Sequence, residues 1–201
     1  MTEFRSRQNR SAVVSPLRSV RKDVRSRRLV FLVECLLNQN AREVGAAASP
    51  AVTHAVMDLL ADRQVGMVQI ACPEIACLGF ARQRVAGQSL REALEAPGPA
   101  VCCTKLAMAT ADRIQCYLDE GYEVLAVLGG NQRSPGCAVR AAPNASSQLA
   151  SDSGTFMKAL AIELAQRGLS IPFHGMRDAD PEFLKDDLAW LRGVLGAEEE
   201  A

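Results

Sequence analysis

Apolar positions along this chain fall into four short runs, each followed by a stretch with helical spacing. Residues 29–34, LVFLVE, are almost uniformly apolar and branched, the pattern of a strand buried on both faces. Residues 66–72, GMVQIAC, and 122–130, YEVLAVLGG, predict a second and a third strand. Residues 169–175, LSIPFHG, predict a fourth, with Pro172 marking an edge or a strand end.

Between them, 50–64 places Val52, Val56, Leu59 and Leu60 on one helical stripe, with Ser49 as N-cap and Pro50 at the first position. Residues 83–103 read as irregular, broken by EAPGPA. A helix then runs over 104–120 to Gly121, and another lies within 151–168, closed by Gly168. Asp180 caps a last helix starting at Pro181, whose apolar face is Phe183, Leu184, Leu188, Leu191 and Leu195. Regular strand–helix alternation predicts an α/β protein: an open, mostly parallel, Rossmann-like sheet with helices on both faces.

Composition sets the limits. The chain has 201 residues, 48% hydrophobic and 23% charged, enough apolar material for one well-packed domain. Its 23 lysines and arginines balance its 23 aspartates and glutamates, so net charge argues for no polyanionic partner. The balance is uneven, however. Residues 1–28 hold nine basic side chains against Glu3 and Asp23, and predict a basic, disordered arm before a single domain over 29–201. RNA would have to be gripped by that arm, because the remainder shows no basic, aromatic-rich face. Arg27 and Arg28 before an apolar run imitate a twin-arginine signal, but Glu34 interrupts the run and no small-residue cleavage site follows. Nine residues are also too few to cross a bilayer. Seven cysteines, an odd number in a chain this large, argue against a secreted disulfide framework and for a reducing, cytoplasmic setting.

The strand order gives the cysteines meaning. Ligands of open parallel sheets bind beyond the carboxyl ends of the strands. Cys35, Cys72 and Cys137 follow the first, second and third strands. Polar groups share their loops: Asn38, Gln39 and Asn40; Glu74; and Asn131, Gln132, Arg133 and Ser134. Three thiolates suit zinc with an open position, or a [4Fe-4S] cluster with one iron lacking a protein ligand, and spacing alone does not choose. A cysteine beside an apolar strand is also a common core residue. Cys116 reads as core, Cys77 as a bystander, and the adjacent Cys102 and Cys103 as a loop-to-helix junction pair pointing apart. His54 falls mid-helix, and His174 ends the fourth strand as a surface residue or a fourth ligand.

In that order and spacing, VECLLNQNARE, CPEIACLGFAR and NQRSPGC resemble the thiouracil desulfurase family, formerly a domain of unknown function, in a divergent CLLNQN-type branch. The resemblance covers about residues 29 to 175. It implies a [4Fe-4S] cluster on Cys35, Cys72 and Cys137. The implied reaction is non-redox removal of sulfur from a small thiolated compound, a thio-nucleobase being one candidate, with thiocarbonyl becoming carbonyl. Glu74 would position or deprotonate the water, Ser134 would bond substrate or cluster sulfur, and Asn38, Asn40 and Arg82 would line the substrate pocket. The chain departs from the family at several points. Gly136 replaces a serine before Cys137, Gly129 stands near an expected lysine, Cys77 lies where a glycine pair is expected, and EAPGPAVCC replaces an aspartate-rich segment. A non-catalytic zinc- or iron–sulfur-binding α/β module is the alternative.

Overall fold

A computed structural model describes residues 23–142 and 145–196. Four parallel strands form one sheet: β1 (Arg28–Val33), β2 (Gly66–Ile70), β3 (Glu123–Gly129) and, after a small hairpin, β6 (Phe173–Gly175), in the order β2-β1-β3-β6. The hairpin pairs β4 (Ala141–Ala142) with β5 (Ala145–Leu149), antiparallel. Among the described residues, seven α-helices and one 3-10 turn (Gln39–Ala41) complete the order: α1 (Glu34–Leu37), α2 (His54–Asp62), α3 (Pro73–Leu78), α4 (Leu90–Glu95), α5 (Pro97–Asp119), α6 (Thr155–Gln166) and α7 (Pro181–Leu195). The chain is an open α/β fold.

Burial explains the strand composition. Val30 to Val33 and Val124 to Leu128 are all buried, because β1 and β3 are the inner strands with helices over both faces. Helices α2 and α7 contact each other in one layer, and α3, α4, α5 and α6 contact one another in a second. Residues Phe31, Leu32, Leu60, Ile114, Leu128, Phe156 and Leu160 sit in the core between these layers. The sheet grows from β1 to β2 on one side and to β3 and β6 on the other. The switch in direction therefore lies between β1 and β3, the position at which open α/β sheets bind their ligands.

Several boundaries differ from the sequence expectation. The first strand ends at Val33, and Glu34 opens α1 instead of closing the strand. The second helix starts at His54, so Ser49 and Pro50 do not cap it. Residues 49–53 are held elsewhere: Gln39 N–H donates to Ala51 O, and Thr53 N–H to Leu36 O. His54 is consequently an exposed first residue, not a mid-helix one.

The stretch expected to be irregular holds α4 and the start of α5. Ser89 and Glu92 form a reciprocal capping box on α4. Pro97 and Pro99 occupy the first turn of α5, where amide donors are unsatisfied anyway, so EAPGPA breaks the chain only at Ala96. The hairpin was not expected; nothing in AAPNASSQL alternates apolar with polar.

The α7 prediction holds, with Asp180 accepting from Glu182 N and Phe183 N, but its face is mixed. Leu191 and Leu195 are buried beside Asp187, whereas Phe183 is 48% exposed beneath the Arg177 guanidinium. Most of the expected arm lies outside the described residues. Its described end is laid on the domain: Arg25 Nη1 donates to the Tyr122 hydroxyl at 2.9 Å, and Arg28 already belongs to β1. Among the described residues, no helix is long and apolar enough to cross a membrane.

Candidate functional site

Cys35 lies in α1 just past β1, Cys72 caps α3 two residues past β2, and Cys137 lies in the loop after β3. The three strands are neighbours, so the three cysteines share one edge of the sheet. Cys35 and Cys137 meet at the switch point. A Cβ built on Gly130 would lie 2.7 Å from Cys137 Sγ and 3.7 Å from Cys35 Sγ, so both sulfurs border the bare backbone at the end of β3. A side chain at 130 would fill the space they face.

Their electrostatics are linked. The Cys137 thiol hydrogen-bonds Cys35, which lowers Cys35; burial opposes this, and the Arg42 guanidinium, 3.8 Å away, adds to the lowering. The same bond, with burial, pushes Cys137 well above the usual thiol range. Cys72 is pushed up to about 11 by burial, with the amides of Ile75 and Glu74 acting against it.

Around Cys35 the sequence hid a second group of residues. Arg42 Nη2 lies 2.7 Å from Asp178 Oδ2, with both side chains buried. Asp178 Oδ2 also accepts from Gln39 Nε2 and Thr53 Oγ1, each at 2.8 Å. Gln39 Nε2 reaches Cys35 O at 3.0 Å as well. Asn-Gln-Asn thus divides its work. Gln39 is buried and anchors the loop, while Asn38 and Asn40 stay exposed, with Asn38 Oδ1 accepting from Asn40 Nδ2 at 3.0 Å. Cys72 has an anchor of its own, since its N–H donates to Glu34 Oε2 at 2.9 Å. Glu34, expected as a strand end, is what ties the second cysteine loop to the first.

Glu74, Arg82 and Ser134 form a chain leading to Cys137. Arg82 Nε donates to Glu74 Oε2 at 3.1 Å, and Ser134 Oγ donates to Glu74 Oε1 at 3.0 Å. Ser134 Oγ accepts from Cys137 N at 3.1 Å and lies 3.1 Å from its sulfur. Its single proton therefore has two claimants, the carboxylate and the thiol. Arg82 is 4% exposed, and its Nη2 donates to Ala41 O at 2.6 Å. These bonds hold it in a left-handed conformation, φ 47°, that an arginine rarely adopts. It sits as the buried partner of Glu74.

Other sequence candidates lie elsewhere. His174 stacks on Trp190, ring centroids 4.1 Å apart, and its Nε2 bonds Asp187 at 2.9 Å, so it is not directed to the cysteines. Burial works against a charge on Asp187, yet hydrogen bonds from His174 and Arg177 outweigh it and hold the carboxyl below its ordinary value. Cys116 is exposed, not core. Cys77 and Cys102 are joined by a disulfide with Cα atoms 5.6 Å apart, which engages Cys77 with α5 and not with Cys35, Cys72 or Cys137. Cys102 and Cys103 belong to the second turn of α5, not to a loop junction. The glycines at 129 and 136 have a packing reason. A Cβ at Gly136 would come within 2.7 Å of Pro73 Cγ, and one at Gly129 within 2.7 Å of Cys137 O.

Among the described residues, no three His, Cys, Asp or Glu side chains are gathered closely enough to hold a single metal ion. Cys35, Cys72 and Cys137 are soft donors at three adjacent strand ends, the ligand type that both zinc and iron–sulfur clusters take. Compared with known protein families, curated proteins and solved structures, the chain matches none.

Proposed function

We propose that the chain is an iron–sulfur-dependent desulfurase acting on a small thiolated compound, with Cys35, Cys72 and Cys137 as the residues that hold a [4Fe-4S] cluster. When bound, such a cluster supplies an iron without a protein ligand, a Lewis acid with affinity for the substrate sulfur. The observation that carries the reading is the chain Arg82–Glu74–Ser134–Cys137, which ties a carboxylate and a hydroxyl to a thiol at the switch point of the sheet.

The reaction balances without an electron donor: a thiocarbonyl and water give a carbonyl and hydrogen sulfide. Glu74 accepts the water proton through Ser134, whose hydroxyl can turn between carboxylate and sulfur. Arg82 orients Glu74 and does not itself reach the substrate. Arg42 offsets the negative charge of a thiolate at Cys35. Asn38 and Asn40, exposed in the loop beyond β1, would meet the substrate's polar edge.

Anaerobic purification with iron and sulfide analysis tests this. The expected content is about four irons and four sulfides per chain, lost in Cys72→Ser and in Cys137→Ser. One zinc and no sulfide would reject it. The second reading, a cluster-holding module without catalysis, draws on the engagement of both Glu74 oxygens in internal bonds. A Glu74→Gln chain that keeps its iron but loses the sulfide release of the wild type favours catalysis; no release of sulfide from substrate by the cluster-loaded wild type favours the module.

A further inference from the structure

The second group of sulfurs lies away from the strand ends, where α3 packs on α5. Cys77 is disulfide-bonded to Cys102, and the Cys103 thiol lies 3.7 Å from Cys77 Sγ. Cys102 and Cys103 are consecutive on α5, and both of their sulfurs lie against Cys77. Cys77 and Cys102 are half-buried, and Cys103 is 1% exposed.

We propose that Cys77, Cys102 and Cys103 form a thiol–disulfide exchange site, in which Cys77 alternates between its two neighbours on α5. The Cys103 thiolate attacks Cys77 Sγ. A Cys77–Cys103 bond forms, the Cys77–Cys102 bond breaks, and Cys102 leaves as a thiolate that takes up the proton Cys103 gave up. One disulfide and one thiol exist before and after, so no oxidant or reductant is consumed. The attacking sulfur must close from 3.7 Å to about 2.05 Å, a distance within side-chain rotation.

Exchange changes which thiol is accessible. With Cys77–Cys102 closed, the free thiol is sealed in the core at Cys103. With Cys77–Cys103 closed, it is the half-buried Cys102, open to a low-molecular-weight disulfide. Attack by Cys102 on that disulfide forms a mixed disulfide on Cys102 and releases the small thiol. The site takes small thiols and disulfides as its co-reactants and does not depend on the metal reading of Cys35, Cys72 and Cys137.

Burial pushes Cys103 up to about 11, so the attacking thiolate is scarce at neutral pH. Below that value its fraction grows tenfold per pH unit, and exchange follows it.

Non-reduced full-length protein is treated with N-ethylmaleimide at pH 7, 8 and 9 and quenched in acid. Label and disulfide are then mapped by peptide fragmentation. Label on Cys102 with a Cys77–Cys103 bond is expected, appearing about tenfold faster per pH unit. In parallel, Cys102→Ser, at a half-buried position, is incubated with oxidised glutathione and is expected to form Cys77–Cys103. The proposal is overturned if Cys102 stays unlabelled at every pH while Cys77–Cys102 persists. It is equally overturned if Cys102→Ser forms no Cys77–Cys103 bond, or if all three residues are free thiols in the glutathione-treated wild type.

Discussion

Removing one member of the Glu74–Arg82 pair is expected to be among the most damaging changes this protein can suffer. The two side chains are 10% and 4% exposed, and Nε lies 3.1 Å from Oε2. At that distance, with an effective dielectric of about 20, the attraction is about 5 kcal/mol. Taking each ion out of water costs several kcal/mol, so the intact pair adds little net stability. Truncating one partner removes the attraction and leaves the other's desolvation in place. Glu74→Ala strands a guanidinium whose remaining partners are the carbonyls of Ala41 and Phe80, and it also removes the acceptor of Ser134. We expect a loss of about 3–5 kcal/mol for Glu74→Ala and a similar loss for Arg82→Ala. The double variant orphans neither ion, so it should fall short of the sum by about 0.5–3 kcal/mol. Urea unfolding of the four chains, with m-values checked for constancy, measures the cycle. Single losses below about 1 kcal/mol, or strict additivity, would refute a buried, mutually dependent pair.

Three further changes test other parts of the structure. Gly130→Ala places a carbon 2.7 Å from Cys137 Sγ, and should lower stability by about 1–3 kcal/mol in chemical denaturation by forcing the Cys35–Cys137 contact apart. Ser89→Ala dissolves the capping box of α4, and about 1 kcal/mol should be lost in the same assay. Asp187 has a lowered carboxyl pKa, so its contribution is present above the unfolded value of about 3.9 and is lost as pH falls through the lower folded value. The stability gap between wild type and Asp187→Asn, read from urea midpoints, should therefore be widest near pH 6 and shrink towards pH 2; a gap that grows in acid would reverse the sign of the argument.

What the sequence disclosed follows the range of the forces involved. The inner strands were legible because burial on both faces leaves unbroken apolar runs at 30–33 and 124–128. The placement of three cysteines beyond three strands followed from that. Gln39, Arg42 and Asp178 were not assigned a joint role, because a buried carboxylate more than a hundred residues from its arginine leaves no local periodicity. The start of α5 was hidden by prolines that block a helix interior but suit its first turn. The Cys77–Cys102 bond depends on how α3 lies on α5, which spacing does not encode.

The strand order also bears on synthesis by the ribosome. β1 pairs with β2 on one edge and with β3 on the other, from Arg28↔Glu123 to Leu32↔Leu128. At about 5–20 residues per second, the stretch from Val33 to Glu123 takes roughly 5–18 seconds to make. Through that interval the β3 edge of β1 has no partner yet translated, and until β2 is made the other edge is open as well. The emerging polypeptide is most prone to aggregate in that window, and binding by a chaperone there would matter more than at any later stage.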